Sequence, residues 1–407
     1  MAEVLAAEAP FGFLDIGCSK VSCAIAVASS SARPAVMSAA TSPLFPGQGL
    51  AGAINRAVAD AESVAGIRIS KACVSFSGFE CRSHLLSSST AFSSCRTVVE
   101  DDIFKCSKRL DVKGSIDCDR NVILHVIPAR YVLDGERAVA DPIGKEAREL
   151  KILYHIVTAD RDAYDDAAAA VSECNLEIED AVSPAYAGAL AVLSEAEKRA
   201  GAMLLDIGKS RLTAGIFAGG NFIHGFEMPI AGDYVTGRLC KHMEIGFAEA
   251  ERLKLKYGAA PPEAVDFSEY ANAADAEGAE RSFSKADVLN VVRPVMGMVF
   301  EVVRKYVADN DFSAFVKRVA LTGGGANMAG ISGIASEVFG LPARVGAARR
   351  PDGTEEKYAL PEYAALFGLV MFSFTRAPAA RRYWGRSEEG HGNGAWGRLK
   401  KFVRDNF

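Results

Sequence analysis

Short apolar runs broken by polar or glycine-bearing turns set the pattern of this chain. Residues 11–16 (FGFLDI) and 21–28 (VSCAIAVA) flank Gly17-Cys18-Ser19-Lys20 and predict two strands joined by a turn. Ile54, Val58, Ala61 and Ala65 fall at helical spacing over 51–65, and 72–76 reads as another strand. Between Phe79 and Thr158 the texture changes. Serine-rich stretches alternate with strand-like runs at 122–127 and 153–157, with breaks at Pro128 and Pro142-Ile143-Gly144. That texture predicts a small inserted α+β subdomain. A helix is expected over 162–174.

A second strand–turn–strand unit follows at 202–207, Gly208-Lys209-Ser210-Arg211 and 212–217. It repeats the layout of the first about 190 residues later, each apolar strand ending in Asp-Ile-Gly. Helical patterns cover 249–257, 287–307, 330–339 and 362–374, and a strand at 316–321 leads into Thr322-Gly323-Gly324-Gly325. Residues 259–284, rich in Ala, Pro and acids, read as a surface loop. Pro294 is placed near the first turns of its helix, where proline is tolerated. The glycines and charges of 377–394 read as a linker, with Asn393 placed to cap a final helix.

In that final segment, 395–407 (AWGRLKKFVRDNF), Trp396, Leu399, Phe402, Val403 and Phe407 share an arc of roughly 140° on a helix. Arg398, Lys400, Lys401, Arg404 and Asp405 fill the other side. A short basic helix with a wide apolar face reads as an anchor for anionic membrane lipids. Each basic residue near such a surface adds ~1 kcal/mol. One copy would bind reversibly, and a polymer would multiply the binding through avidity.

At 407 residues, 49% hydrophobic and 24% charged, the chain supports several subdomains with a sizeable core and excludes global disorder. A net charge of −5 argues against nucleic acid as a partner. The nine cysteines are scattered without a CxxC pair, which speaks for reduced core thiols rather than zinc. No apolar run reaches the ~18 residues of a spanning helix, and the N-terminus lacks a signal-peptide pattern. A cytoplasmic protein touching the membrane peripherally is expected.

Three glycine turns carry the candidate chemistry: Asp15-Ile16-Gly17, Asp206-Ile207-Gly208 and Leu321-Thr322-Gly323-Gly324-Gly325. Glycine lets a backbone approach a phosphate and aim N–H groups at it, and an Asp at a strand end can hold Mg2+ through water. With this order of turns, the chain resembles the actin-like ATPase superfamily. The resemblance implies an α/β, actin-like (ribonuclease H-like) two-lobed fold with the α+β subdomain inserted in the first lobe, and ATP with Mg2+ as ligands. Asp15, Gly17, Cys18, Ser19 and Lys20 would form the first phosphate clamp. Asp206, Gly208, Lys209 and Ser210 would form the second, with Asp15 and Asp206 holding Mg2+ through water. Gly323, Gly324 and Gly325 would lie at the nucleoside. Glu251 and Lys254, an E-x-x-K pair, would face the ribose and base.

More narrowly, the chain resembles the bacterial cell division family FtsA. Leu124-His125-Val126-Ile127-Pro128 is similar to that family's LHVIP, Asp141-Pro142-Ile143-Gly144 to its NPVG, and the tail from Gly394 to its membrane-targeting helix. The resemblance implies an adaptor that tethers FtsZ filaments, through the FtsZ C-terminal tail, to the cytoplasmic face of the inner membrane. It also implies self-association and recruitment of later division proteins. It divides the chain into a disordered 1–10, a first lobe at 11–78 with 159–200 and about 359–376 returning to it, and an insert at 79–158. A second lobe follows at 201–358, its partner-binding part at about 232–308, then the linker 377–394 and the helix 395–407. An ATP-hydrolysing filament protein and a PilM-type scaffold are the alternatives.

Three departures qualify this. The family's second clamp reads D-I-G-G-G-T, whereas this chain has Lys209-Ser210-Arg211 after Gly208. Ser183-Pro184 stands where hydrolysing relatives have Glu or Gln before Pro. Val295 follows Pro294 where the family has a basic residue, with Arg293 before it. The first two imply weak or absent ATPase activity, with nucleotide as a structural ligand that locks two lobes, and the third leaves the exact FtsZ contacts open.

Overall fold

The computed structural model describes residues 10–28, 34–45, 47–258, 270–275 and 278–383. The expected disordered N-terminus (apart from residue 10), residues 384–394 of the linker and the terminal helix with its lipid face lie outside them.

β1 (Phe11–Ile16) and β2 (Lys20–Ala28) pair antiparallel with Ile16 opposite Val21, as their apolar runs and short turn require. β3 (Pro34–Pro43) adds to β2, and α1 (Leu50–Ala65) crosses to β4 (Lys71–Phe76), which runs parallel to β1. Ile54, Val58 and Ala61 of α1 are buried against this sheet, so the helical spacing marks the face that packs.

The serine-rich stretch forms β5 (Arg82–Thr97). It is followed by α2 (Glu100–Ser107), β6 (Asn121–Leu133), β7 (Arg137–Val139) and β8 (Glu146–Asp160). These strands make an antiparallel sheet in the order β5-β8-β6-β7, with a core of its own around Leu133, Leu150, Ile152 and Tyr154. α3 (Arg161–Ser172) leads to β9 (Glu177–Ala181), which completes the first sheet as β3-β2-β1-β4-β9.

After α4 (Pro184–Val192) and α5 (Glu195–Ala200), the pattern repeats with β10 (Ala202–Ile207), β11 (Leu212–Ala218) and β12 (Asn221–Met228). α6 (Gly232–Met243), α7 (Phe247–Tyr257), β13 (Tyr270–Ala274), β14 (Glu280–Ser284) and α8 (Lys285–Asp309) follow. Then come β15 (Val319–Thr322), α9 (Ile331–Phe339), β16 (Ala343–Val345) and α10 (Ala364–Tyr383). The second sheet is β12-β11-β10-β15-β16, three antiparallel strands and then two parallel ones, the same plan as the first.

Three expectations need correction. Residues 259–284 are not loop throughout, because β13 and β14 form an antiparallel hairpin in which Ala271, Ala273 and Phe283 are buried. Pro294 lies well inside α8, which begins at Lys285. Its missing N–H leaves the carbonyl of Asn290, an exposed residue, to be hydrated. α10 runs on to Tyr383 and takes in the first residues assigned to the linker.

α4 and α10 lie between the two sheets, α10 against β1, β2 and β4 and α4 against β10, β11, β12 and β15. A side chain at Gly368 of α10 would sit 1.8 Å from the carbonyl oxygen of Ala187 in α4, so the two backbones touch directly. The insert also docks on the second lobe. Ser83 Oγ lies 2.9 Å from Gly225 O and accepts from Gly225 N–H at 2.8 Å. His155 Nδ1 lies 2.9 Å from Phe222 O.

Candidate functional site

Asp15 and Asp206 occupy the same place in the two repeats, one residue before the end of β1 and β10. Each is followed by Ile-Gly and a tight turn, closed by Gly17 N–H donating to Lys20 O at 2.9 Å and by Gly208 N–H donating to Arg211 O at 3.0 Å. A Cβ on Gly208 would approach Arg211 O to 2.8 Å, so this position requires glycine. The symmetry extends sideways. Asp15 is in register with Ser22 and Ser75, and Asp206 with Thr213 and Thr322.

The two carboxylates face one cleft. Burial pushes Asp15 up to about 7, with repulsion from Asp206 adding to it, while the Lys20 ammonium pulls it down. Burial raises Asp206 to about 6 against the same pull from Lys20. Ser75 Oγ and Thr213 Oγ1, beside the two Asp residues on the sheets, are buried without a hydrogen-bond partner. Crowded carboxylates flanked by unsatisfied hydroxyls fit a hydrated divalent cation, which would neutralise the former and order water for the latter.

The third glycine turn closes on this pair. Gly323 has φ 80°, and a Cβ there would fall 2.1 Å from Asp206 Oδ1, while one on Gly325 would fall 2.4 Å from Ile207 Cγ2. These two glycines let the turn lie directly over the end of β10. Gly324, by contrast, is exposed, and a Cβ there would meet nothing within 4 Å. It is the one position of the three open to a ligand.

Lys20 reaches over the Tyr363 ring, 3.9 Å from its centroid, and pairs with Glu362 Oε1 at 3.5 Å. Glu362 Oε2 accepts from Asn327 Nδ2, just past the glycine turn. In the second hairpin, Lys209 is exposed, and its carbonyl accepts from Asp233 N–H at 2.7 Å. Ser210 Oγ donates to Asp233 Oδ2 at 2.8 Å, and Arg211 pairs with Glu80 at 3.2 Å. Of the side chains that depart from the family's hairpin, Ser210 is seated against α6 and Arg211 against the insert junction, while that of Lys209 stays exposed. Cys18 Sγ donates to Ser77 O at 3.3 Å, and burial raises its thiol. Ser19 is exposed.

Glu251 and Lys254 pair with each other at 2.7 Å. The Lys254 ammonium is buried and donates to Gly232 O and Thr236 Oγ1, at 3.1 and 2.9 Å. Gly232 N–H in turn donates to Gly208 O at 3.2 Å. Lys254 thus braces the second hairpin from behind, while the Glu251 side chain keeps about a third of its surface open. Ser183 is 1% exposed at the start of α4, and its N–H donates to His125 Nε2 at 3.0 Å. Val295 is buried in the second core, and the neighbouring Arg293 pairs with Glu337 at 3.5 Å.

The cleft therefore joins Asp15, Lys20, Asp206 and the glycine turn, as the motifs predict. It adds Glu362, Tyr363, Glu80 and Asp233, which no motif marks. Glu362 and Tyr363 lie in an ordinary Pro-Glu-Tyr stretch before the last helix, and only the closure of the fold brings them to Lys20.

Two repeated lobes with paired Asp-Ile-Gly hairpins facing one cleft define the actin-like class. Solved structures of that class share the fold. A PilM–PilN type IV pilus biogenesis complex aligns with TM-score 0.61 at 15% identity, over 89% of this chain and 98% of that one. MreB5 of Spiroplasma citri bound to ADP aligns with TM-score 0.55 at 14% identity, over 92% and 99%. Within the class, the profile of the cell division protein FtsA matches residues 203–368, and that of the SHS2 domain inserted in FtsA matches 78–158. The cell division protein FtsA of Pseudomonas aeruginosa is 29% identical over 375 residues, covering 89% of each chain. That of Escherichia coli K12 is 24% identical, over 78% of this chain and 77% of its own. The chain belongs to the FtsA family of cell division proteins.

Proposed function

We propose that this chain is a division adaptor: it tethers FtsZ filaments to the cytoplasmic face of the membrane, self-associates and recruits later division proteins. The observation that carries the reading is the union, in one chain, of FtsA-family lobes and insert with the basic amphipathic segment 395–407. Among the described residues no helix is long and apolar enough to cross a membrane. With Val295 turned inward, a partner peptide on α8 would meet Met298 and Val302 instead, 47% and 46% exposed and one helical turn apart.

Nucleotide serves in this reading as the ligand that clamps the lobes. Asp15 and Asp206 would hold Mg2+ through water, which supplies charge neutralisation to the phosphates, and Lys20 and Lys209 would meet phosphate oxygens. The exposed Gly324 leaves room for the nucleoside. Ser183, buried and short, is a poor device for orienting an attacking water, so binding rather than turnover is the role assigned to the cleft.

The test is a bridging assay with anionic vesicles, FtsZ filaments and the full chain. Filaments should co-sediment with vesicles only when the chain is present, and removal of 395–407 or of the FtsZ C-terminal tail should abolish this. Undiminished bridging by the truncated chain would overturn the tether.

A further inference from the structure

Two of the cations around the cleft are already engaged, by carboxylates from distant parts of the chain. Lys20, on the first-lobe hairpin, pairs at 3.5 Å with Glu362, whose other oxygen accepts from Asn327 beside the second-lobe glycine turn. Arg211, on the second-lobe hairpin, pairs at 3.2 Å with Glu80, which stands at the start of the insert. Both pairs are partly exposed, with side-chain accessibilities of 24% and 24% for the first and 26% and 48% for the second. Pairs of that exposure are weak enough to exchange. Glu80 is also held at φ 49°, a left-handed conformation that side-chain-bearing residues seldom adopt. The tie to Arg211 is one contact that favours it.

A polyphosphate adds several negative charges to a cleft that already holds Asp15 and Asp206. Its entry needs cations, and Lys20 and Arg211 become available only as their carboxylates let go. We propose that Glu362 and Glu80 are internal competitors for cations at the cleft: they hold Lys20 and Arg211 in ion pairs, and a nucleotide binds by taking those cations over. The inference rests on the nucleotide reading above. It assigns the exchange a regulatory sense. Without nucleotide the two cations are tied to carboxylates, and with it they are tied to the phosphates. Glu362 lies two residues before α10 and Glu80 two before β5, so the exchange releases the roots of the last helix and of the insert together.

The experiment measures binding of ATP, ADP and adenosine, with Mg2+, to the full chain by calorimetry. The proteins are the wild type, Glu362→Gln, Glu80→Gln, Glu362→Asp and Lys20→Ala. Gln keeps the shape and the acceptor for Asn327 while removing the charge. Glu362→Gln and Glu80→Gln should each tighten ATP and ADP by about threefold or more, the size of a partly exposed ion pair, and leave adenosine unchanged. Glu362→Asp should stay near wild type, and Lys20→Ala should weaken ATP. If Lys20→Ala weakens ATP but neither Gln variant tightens it, the competition is wrong and the nucleotide site stands. If no protein binds ATP, the nucleotide reading falls and takes the competition with it. The two Gln variants are independent, so one that failed to fold would leave the other to decide.

Discussion

His125 Nε2 accepts the backbone N–H of Ser183 at 3.0 Å, and both residues are almost fully buried. An acceptor nitrogen leaves the proton on Nδ1, so this imidazole is neutral in the folded protein. The ring also packs edge-on against Tyr186 and Phe372, at 5.3 and 5.7 Å between centroids. The insert is thereby pinned to the first turn of α4 and to α10. The histidine of the LHVIP stretch acts structurally here, as the acceptor for a helix N-terminus that would otherwise bury an unpaired donor.

His125→Ala should cost about 2–4 kcal/mol, from the orphaned amide together with the lost ring contacts. Urea unfolding monitored by fluorescence would show it as a lower midpoint at unchanged slope. A midpoint equal to wild type would contradict the assignment.

The cleft carboxylates make a pH prediction with a definite sign. Asp15 has its folded value raised to about 7 from 3.8, so the unfolded chain gives up this proton first. Folding is therefore penalised above about pH 4, and the penalty grows until about pH 7. Asp15→Asn removes it. Without nucleotide, the variant should be more stable than wild type at pH 8 by up to about 4 kcal/mol, and the difference should vanish near pH 3.5. Mg-nucleotide should stabilise the wild type more than the variant. A pH-independent difference would refute the shifted carboxylate.

Gly323→Ala would drive a methyl to 2.1 Å from Asp206 Oδ1 and 2.7 Å from Ile207 O, at φ 80°. Backbone crowding of this kind cannot be relieved by a rotamer change. A loss of about 2 kcal/mol or more is expected, with weaker Mg-nucleotide binding as the turn lifts off β10. Gly324→Ala, in open space, should change stability by less than about 1 kcal/mol. Equal effects at the two positions would show that the turn does not pack as described.

Turnover offers another check. With Ser183 buried at the start of α4, phosphate release at saturating Mg-ATP should be no faster than that of Asp206→Asn. A clear excess in the wild type would restore an ATP-hydrolysing reading.

The paired hairpins were legible because glycine, aspartate and apolar strands are local signals, and both β1–β2 and β10–β11 announce themselves within fewer than twenty residues. β5 was not, since serine is a weak strand former and this strand is held by its pairing with β8 rather than by propensity. β13 escaped for the same reason, as its buried positions are alanines, Ala271 and Ala273. α6 has buried Val235, Leu239 and Met243 at helical spacing, a signal present in the sequence but obscured by its glycines. Glu362 and Glu80 had no such signal. Their significance lies in cations that the fold brings from about 130 and 340 positions away, which no local pattern encodes.

The contact between Gly368 and Ala187 bears on how the two halves of such a molecule can move. Helices separated by side chains slide past one another by small rotamer adjustments, the shear motion of many domain closures. Where one backbone rests on another, no compliant layer remains, and sliding by even a fraction of a residue would drive peptide groups together. Rolling about the point of touch keeps the contact intact. The pair α4–α10 is thus suited to act as a pivot, with opening or closing of the cleft turning about the contact rather than sliding across it.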